Sequence, residues 1–349
     1  MVTLRDVKRL ALQGIERTGG YSAVANSRWR RERLLIICYH GVSYEDEHLW
    51  DGSLYVPHAF LDERLRILRE MKCSILPLDE AIERLYAGTL PERSVAVTFD
   101  DGYDDFAGVA FPILERHRVP VTVYLPTLRC GIDYPIFQVA CSYVLWKARG
   151  TQTDVPELGM TVDLNTPSGR SAALTAMRKA GGGRRMVEKN ALVASVARRL
   201  GVDYDAIVQR RMLRIMSPED VTRLSAAGVD FELHTHTHNA PRDREKFLDE
   251  IESNRTRLRQ MTGKDARHFC YPGGGYVPEF QSWLTDARVT SATTCDPGLA
   301  SRATPPLLLP RLIDTWHTSA SEFRGWVSGT AELITPRRWY AQSVAQTSA

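Results

Sequence analysis

The stretch Ser94-Val95-Ala96-Val97-Thr98-Phe99-Asp100-Asp101-Gly102 predicts a buried strand that ends in two adjacent carboxylates and a glycine. An Asp-Gly pair is also common in plain turns, so the acids alone leave a turn open as the alternative. In α/β proteins with parallel sheets, reactive groups lie at the carboxyl ends of the strands. Asp100 and Asp101 are therefore candidate site residues if the chain forms such a sheet.

Strand and helix patterns alternate on both sides of this stretch. Short apolar runs predict further strands at residues 34–39, 120–125, 229–233, 267–271, 289–294 and 307–313. Apolar residues at helical spacing predict helices at 57–72, 78–87, 106–117, 218–227, 241–261 and 321–327. This alternation predicts an α/β fold with a mostly parallel sheet, closed or doubly wound.

The regular pattern is interrupted between residues of about 130 and 214. Residues 151–183 are rich in Thr, Gly, Pro and Ser, and residues 184–200 predict a basic helix whose charge suits a solvated face. We expect a main domain at 34–330 with a partly helical insertion at about 130–214. Residues 1–33 then form a helical extension and residues 331–349 a tail.

Composition narrows the class of protein. The chain of 349 residues is 43% hydrophobic and 25% charged, which is typical of globular proteins and excludes a disordered or fibrous chain. A net charge of +3 gives no argument for a nucleic-acid partner. No apolar run approaches the roughly 20 residues of a transmembrane helix, and no secretory signal is recognised. The six cysteines are scattered and are expected to be reduced thiols.

A second candidate site follows the predicted strand at 229–233. His234, His236 and His238 stand in five residues, and neutral imidazole is a common zinc ligand. In an extended segment the three rings share one face, whereas in a coiled segment His234 and His238 converge and His236 turns away. The alternative is a polar strand end with solvated histidines.

Two histidines and one carboxylate would leave a position open for water on a catalytic zinc ion. Adjacent residues on an extended strand point to opposite sides, so Asp100 and Asp101 should have different roles. One can bind the metal while the other acts as a base toward the bound water, whose pKa falls to about 7. The residues thus indicate metal-assisted hydrolysis of a carbonyl compound.

The segment Thr98 to Gly102 resembles the first motif of the polysaccharide deacetylases, also described as the NodB homology domain or carbohydrate esterase family 4. His234-Thr235-His236-Thr237-His238 is similar to the second motif of that family. The resemblance covers about residues 34–313 apart from the insertion. It implies a distorted (β/α)7 barrel with Asp100 as catalytic base and with Asp101, His234 and His238 as ligands of Zn²⁺, or of Co²⁺ or Ni²⁺.

The later family motifs are less well matched. In Cys270-Tyr271-Pro272-Gly273, the cysteine replaces an arginine that positions the base, and the glycine replaces an aromatic residue whose N–H holds the oxyanion. The resemblance still implies an oxyanion or substrate role for Tyr271, Pro272 and Gly273, against a plain flexible loop, and orientation of the base must come from elsewhere.

The histidines outside the second motif leave alternatives open. His317 is the candidate general acid, with a surface loop histidine as the alternative. His40, at the end of the first strand, is a candidate for the substrate cleft, with a backbone-bonded strand-end histidine as the alternative. His236 is expected to be structural.

The resemblance implies a metal-dependent hydrolase that removes acetyl groups from N-acetylated sugars of a bacterial exopolysaccharide or capsule precursor. The alternatives are an O-acetyl esterase on polysaccharide and a catalytically weak glycan-binding protein. A glycosidase is disfavoured, because its two carboxyls must face one bond and strand neighbours point apart. We expect a carbohydrate partner, either free or linked to a lipid. We expect the protein to be cytoplasmic or peripheral at the inner membrane.

Overall fold

Seven parallel strands form the centre of the protein in a computed structural model that describes residues 12–335. β7 pairs with β1, and the spatial order of the seven strands is β6-β5-β4-β3-β2-β1-β7. The strands are β1 (Arg33–Tyr39), β2 (Ser94–Asp100), β3 (Thr122–Leu125), β4 (Asp230–Leu233), β5 (His268–Cys270), β6 (Ser291–Thr293) and β7 (Leu312–Ile313).

The segment before β7 closes the barrel. The Leu309 N–H donates to the Ala292 carbonyl at 2.8 Å, and the Leu309 carbonyl accepts from the Thr294 N–H at 2.9 Å. Three residues later, Leu312 lies opposite Ile37 of β1. Because the closing segment touches β6 at one end and β1 at the other, the sheet becomes a barrel with one short, irregular strand. The predicted α/β fold with a distorted (β/α)7 barrel is confirmed.

The two longest strands are mostly apolar because both of their faces are covered. All seven residues of β2 and the last six of β1 are buried. Side chains on one face fill the barrel, and those on the other pack beneath the helices. This explains why apolar residues stand at adjacent positions of both strands instead of alternating with polar ones.

Helices surround the barrel at or near the positions predicted. The Ser217 side chain accepts the Asp220 N–H at the start of one helix, and Gly88 ends another at φ +73°. The larger helices outside residues 130–214 are His58–Glu70, Leu78–Ala87, Phe111–His117, Pro218–Ala226, Arg244–Thr262, Glu279–Asp286 and Ala320–Ser328. Across the described part of the chain, no helix combines the length and apolar character that crossing a bilayer requires.

Short elements complete the described chain. Gly41–Val42 pairs with Tyr55–Val56, Ser74–Ile75 pairs with β2, and Ala300–Ser301 runs antiparallel to β1. Short helices lie at Gly20–Ala25, Arg28–Arg31, Glu47–Trp50 and Thr330–Leu333. The predicted extension and tail fall partly outside the described residues, at 1–11 and 336–349.

Residues 130–214 are partly helical, as predicted. They contain a hairpin of Gln152–Val155 and Met160–Asp163 and the helices Phe137–Lys147, Pro167–Gly181, Met186–Arg199 and Tyr204–Gln209. Cys141, Val144, Met177 and Val193 are buried among these elements, so the region packs around apolar side chains of its own. Its definition as an insertion with these boundaries stays a prediction.

One predicted strand is mostly wrong. Residues 307–313 were expected to be extended throughout, but Pro306–Leu308 is a 3₁₀ turn and only Leu312–Ile313 forms a strand. Pro310 has no backbone N–H to donate, and Pro305 and Pro306 lead into the 3₁₀ turn, so the segment cannot make a continuous ladder.

Candidate active site

The two acids of the first motif diverge because the chain turns between them. Asp100 is the last residue of β2, and Asp101 has a left-handed backbone at φ +67°. Gly102 continues the turn at φ +64°, and its N–H donates to the Asp100 carbonyl at 2.9 Å. The carboxylates therefore point differently because of a tight turn, and not because of the strand alternation used in the sequence argument.

Asp101, His234 and His238 come together at the carboxyl ends of β2 and β4. The Oδ1 atom of Asp101 lies 3.4 Å from Nε2 of His234 and 3.1 Å from Nε2 of His238. Burial alone would raise the pKa of Asp101, but hydrogen bonds from both histidines outweigh it and hold that pKa well below its usual value. Three donor atoms this close, one of them an ionised carboxylate, fit a zinc-type ion.

His234 is held in one orientation. Its Nδ1 atom lies 2.8 Å from the Cys270 carbonyl of β5, which can only accept, so Nδ1 carries the proton and Nε2 keeps its lone pair. His234 is 2% exposed, whereas the side chain of His238 is 45% exposed on a loop with φ +62°. One ligand is thus fixed in the core while the other lies at the open side, where a water molecule and a substrate can enter.

Asn254, on the helix Arg244–Thr262, secures this loop. Its Oδ1 accepts the His234 N–H at 2.9 Å, and its Nδ2 donates to the Leu125 carbonyl at 2.9 Å and to Thr127 Oγ1 at 3.0 Å. Thr127 in turn contacts Nδ1 of His236 at 2.9 Å, so His236 serves the loop, consistent with the structural role expected for it. Sequence reasoning missed Asn254, although a lone Asn on the apolar face of a helix was a signal for it.

Arg311 holds the predicted base. Its Nη1 donates to Oδ1 of Asp100 and its Nη2 to Oδ2, both at 2.8 Å, and both side chains are buried. Burial would raise the pKa of Asp100, but the charge of Arg311 outweighs it and keeps the pKa below its usual value. Cys270, which stands at the position of the family's arginine, lies 3.3 Å from Asp100 and 3.1 Å from Nη2 of Arg311.

The structure thus supplies the orienting arginine that the third motif lacks. Sequence reasoning missed Arg311 because it lies 41 positions after Cys270, outside that motif. The signal available was a single arginine between Pro310 and the apolar pair Leu312 and Ile313. A charged residue at the entry of a barrel strand is unusual unless it has a buried partner.

His40, the candidate for the substrate cleft, lies at the site, whereas His317, the candidate general acid, lies away from it. The Nε2 atom of His40 lies 4.0 Å from Oδ2 of Asp100, and the side chain of His40 is 21% exposed. His317 lies on an exposed turn after β7, with its ring against Gly52. Among the described residues, the clusters of possible ligand atoms around the two acids include His40 but not His317.

The loop after β5 places its three predicted residues differently. The side chain of Tyr271 is fully buried and its hydroxyl donates to the Leu307 carbonyl at 3.0 Å, so this ring packs in the core and is not available to a substrate. Pro272 is half-buried, and Gly273 is exposed at φ +60°. The next residue, Gly274, has φ +71°, and a Cβ there would lie 2.7 Å from Cys295.

Comparison with known proteins finds similar sequences and structures. Residues 87–134 and 184–292 match the family model for polysaccharide deacetylase. Over 100 residues the chain is 33% identical to the poly-beta-1,6-N-acetyl-D-glucosamine N-deacetylase of Escherichia coli (strain K12). That alignment covers 28% of this chain and 15% of the E. coli enzyme.

Solved structures show the same fold at low sequence identity. The Streptococcus pyogenes deacetylase PplD, in complex with acetate, is 16% identical with a TM-score of 0.55, over 87% of this chain and 99% of that one. IcaB from Ammonifex degensii is also 16% identical with a TM-score of 0.55, over 85% of this chain and 97% of that one.

Proposed function

Because the chain belongs to the polysaccharide deacetylase family through residues 87–134 and 184–292, we propose that it is a metal-dependent hydrolase that removes acetyl groups from N-acetylated sugars. The proposed substrate is a bacterial exopolysaccharide or capsule precursor. The observation that carries the proposal is the pairing of Asp100 with Arg311 beside a cluster of three metal-type ligands.

The proposed metal ligands are Asp101, His234 and His238, and Zn²⁺ is the expected ion, with Co²⁺ or Ni²⁺ as alternatives. An ion held by these donors would polarise the acetyl carbonyl and lower the pKa of a bound water. The mixture of two imidazoles and one carboxylate suits zinc, which accepts both nitrogen and oxygen ligands.

Asp100 is the proposed general base. Its carboxylate is ionised, because Arg311 compensates its burial, and it lies next to the ligand Asp101. It can therefore accept a proton from the attacking water while Arg311 keeps the carboxylate aimed. The product of the overall reaction is free acetate and an amino sugar.

His40 is the proposed general acid in place of His317. The leaving nitrogen must receive a proton, and His40 has its Nε2 within 4.0 Å of the base and a partly exposed ring. Gly273 and Pro272 are proposed to face the substrate, because they follow the Cys270 carbonyl that fixes His234. An exposed Gly273 N–H there would suit a developing oxyanion.

Acetate release tests the proposal. Purified protein is incubated with N-acetylated and with O-acetylated oligosaccharides, and acetate is measured against Asp100→Asn as the control. Release from the N-acetylated set by wild type, with a loss of at least 100-fold in the variant, supports the proposal. Release only from the O-acetylated set identifies an esterase, and metal binding without any release identifies a glycan-binding protein.

A further inference from the structure

A pocket beside the candidate active site is formed by the loop after β3 and by helices of residues 130–214. It is small and partly open to solvent. Among the described residues that line it, none is acidic. Its polar lining residues are Arg129, Tyr134, Lys189, Asn190 and Tyr204.

The strongest polar groups of this pocket are hydrogen-bond donors. The Tyr204 hydroxyl donates to Oδ1 of Asn190 at 2.7 Å, so Nδ2 of Asn190 keeps its two N–H groups for a ligand. Nζ of Lys189 lies 5.6 Å from the centre of the Phe137 ring, which favours the cation but does not neutralise it. Within residues 12–335, no carboxylate forms an ion pair with Arg129 or with Lys189.

Arg129 lacks a counter-charge although it is partly buried. Burial lowers the pKa of Arg129, and the neighbouring Tyr103 only partly opposes this effect. Desolvating a guanidinium without an anion is costly, so such a group is typical of a site that an anion fills. A planar guanidinium and a compact ammonium together suit the oxygens of a phosphate.

The pocket adjoins the reacting centre. The N–H of Leu128, the residue before Arg129, donates to the His236 carbonyl at 2.8 Å, between the two metal-type histidines. An anionic group bound at Arg129 can therefore belong to the same molecule as the acetyl group at Asp101.

We propose that this pocket binds a phosphate group that the acetylated sugar carries, so that the substrate is a glycosyl phosphate or diphosphate. This inference rests on the proposed deacetylase function. Two exposed apolar residues lie near Arg129 and Lys189 in the chain: Leu128 is 44% exposed and Met186 is 43% exposed. The phosphate can be carried by a nucleotide or by a prenyl lipid, and the test separates these two carriers.

Binding is measured calorimetrically with three probes: UDP-N-acetylglucosamine, a short-chain prenyl diphosphate of N-acetylglucosamine, and N-acetylglucosamine without phosphate. Wild type should bind at least one diphosphate probe more than 10-fold more tightly than the neutral sugar. Arg129→Gln and Lys189→Gln should each reduce that preference at least 10-fold. Lys179→Gln removes the same charge from an exposed site on the helix Pro167–Gly181 and should not change it.

The tighter of the two diphosphate probes identifies the carrier. Equal affinity of wild type for all three probes would overturn the inference, and so would unchanged diphosphate binding in the Arg129→Gln/Lys189→Gln double variant. Because binding needs no turnover, the two proposals can fail separately. Diphosphate binding that depends on Arg129, without acetate release from the acetylated oligosaccharides or from any probe, would support this pocket and overturn the deacetylase function.

Discussion

Arg311 and Asp100 form a two-point ion pair in which Nη1 and Nη2 of the arginine each donate to one carboxylate oxygen at 2.8 Å. Arg311 lies between Leu309, which bridges to β6, and β7, which pairs with β1. The segment that closes the barrel therefore also delivers the residue that orients the predicted base. Arg311 thus orients Asp100 from outside the third motif, in which Cys270 stands at the position of the family's arginine.

Replacing Arg311 by lysine should reduce kcat about 10- to 100-fold, because lysine keeps the charge but cannot hold both oxygens of Asp100. Arg311→Gln should lose more and should also destabilise the fold by about 3–5 kcal/mol, since Asp100 is left buried and unpaired. Steady-state kinetics, metal content and thermal unfolding check this. A lysine variant with wild-type kcat would show that Arg311 does not position the base.

The general acid is tested by a matched pair of histidine variants. His40→Gln should lower kcat at least 100-fold with little change in metal content, because its ring lies beside Asp100. His317→Gln, on the exposed turn next to Gly52, should keep kcat within about threefold of wild type. The reverse order of losses would return the acid role to His317.

Two neighbouring glycines should respond unequally to alanine. Both have a left-handed backbone, but a Cβ at Gly274 would lie 2.7 Å from Cys295, whereas a Cβ at Gly273 meets no atom within 4 Å. The free energy of unfolding of each variant should fall by about 1 kcal/mol, because alanine disfavours a left-handed backbone. In Gly274→Ala it should fall by at least about 1 kcal/mol more, because the atoms of Cys295 must move to admit the new Cβ. Chemical denaturation measures both, and equal losses would contradict this packing.

Stability should depend on pH through Glu47. Burial raises the pKa of Glu47 from 4.5 to about 7, so the folded chain holds a proton that the unfolded chain releases in this interval. The free energy of unfolding should therefore fall as the pH rises from about 4.5 to 7, by up to about 3 kcal/mol from this group. Glu47→Gln stays neutral, so its stability relative to wild type should increase over the same interval. If the difference in unfolding free energy between Glu47→Gln and wild type does not change with pH, the burial of this carboxyl is contradicted.

The parts of the site that the sequence predicts are those carried by contiguous segments. Asp100 and Asp101 follow one apolar strand, and His234 and His238 follow another, so parallel pairing alone brings them to one end of the barrel. Arg311 and Asn254 reach the site only through the three-dimensional path of the chain. Neither lies in a motif, and no spacing rule connects them to Asp100 or His234.

The errors in the sequence argument also have local physical causes. Tyr271 follows Cys270 directly, but the 3₁₀ turn after β5 leaves its ring in the core while Gly273 faces solvent. The predicted strand at 307–313 contains Pro310 and directly follows Pro305 and Pro306, and these prolines interrupt the ladder. The sequence argument counted the apolar residues but not the N–H donors that proline lacks, so it predicted a longer strand than the chain forms.

The most direct test of the account is a crystal structure of the protein purified without chelators, with anomalous scattering recorded across the zinc absorption edge. The account predicts one anomalous peak per chain within about 2.0–2.2 Å of Nε2 of His234, Nε2 of His238 and a carboxylate oxygen of Asp101. His234→Ala should abolish that peak, whereas Asp100→Asn should retain it. An absence of any divalent metal in the wild type, or a metal bound elsewhere with these three side chains apart, would contradict the central claim.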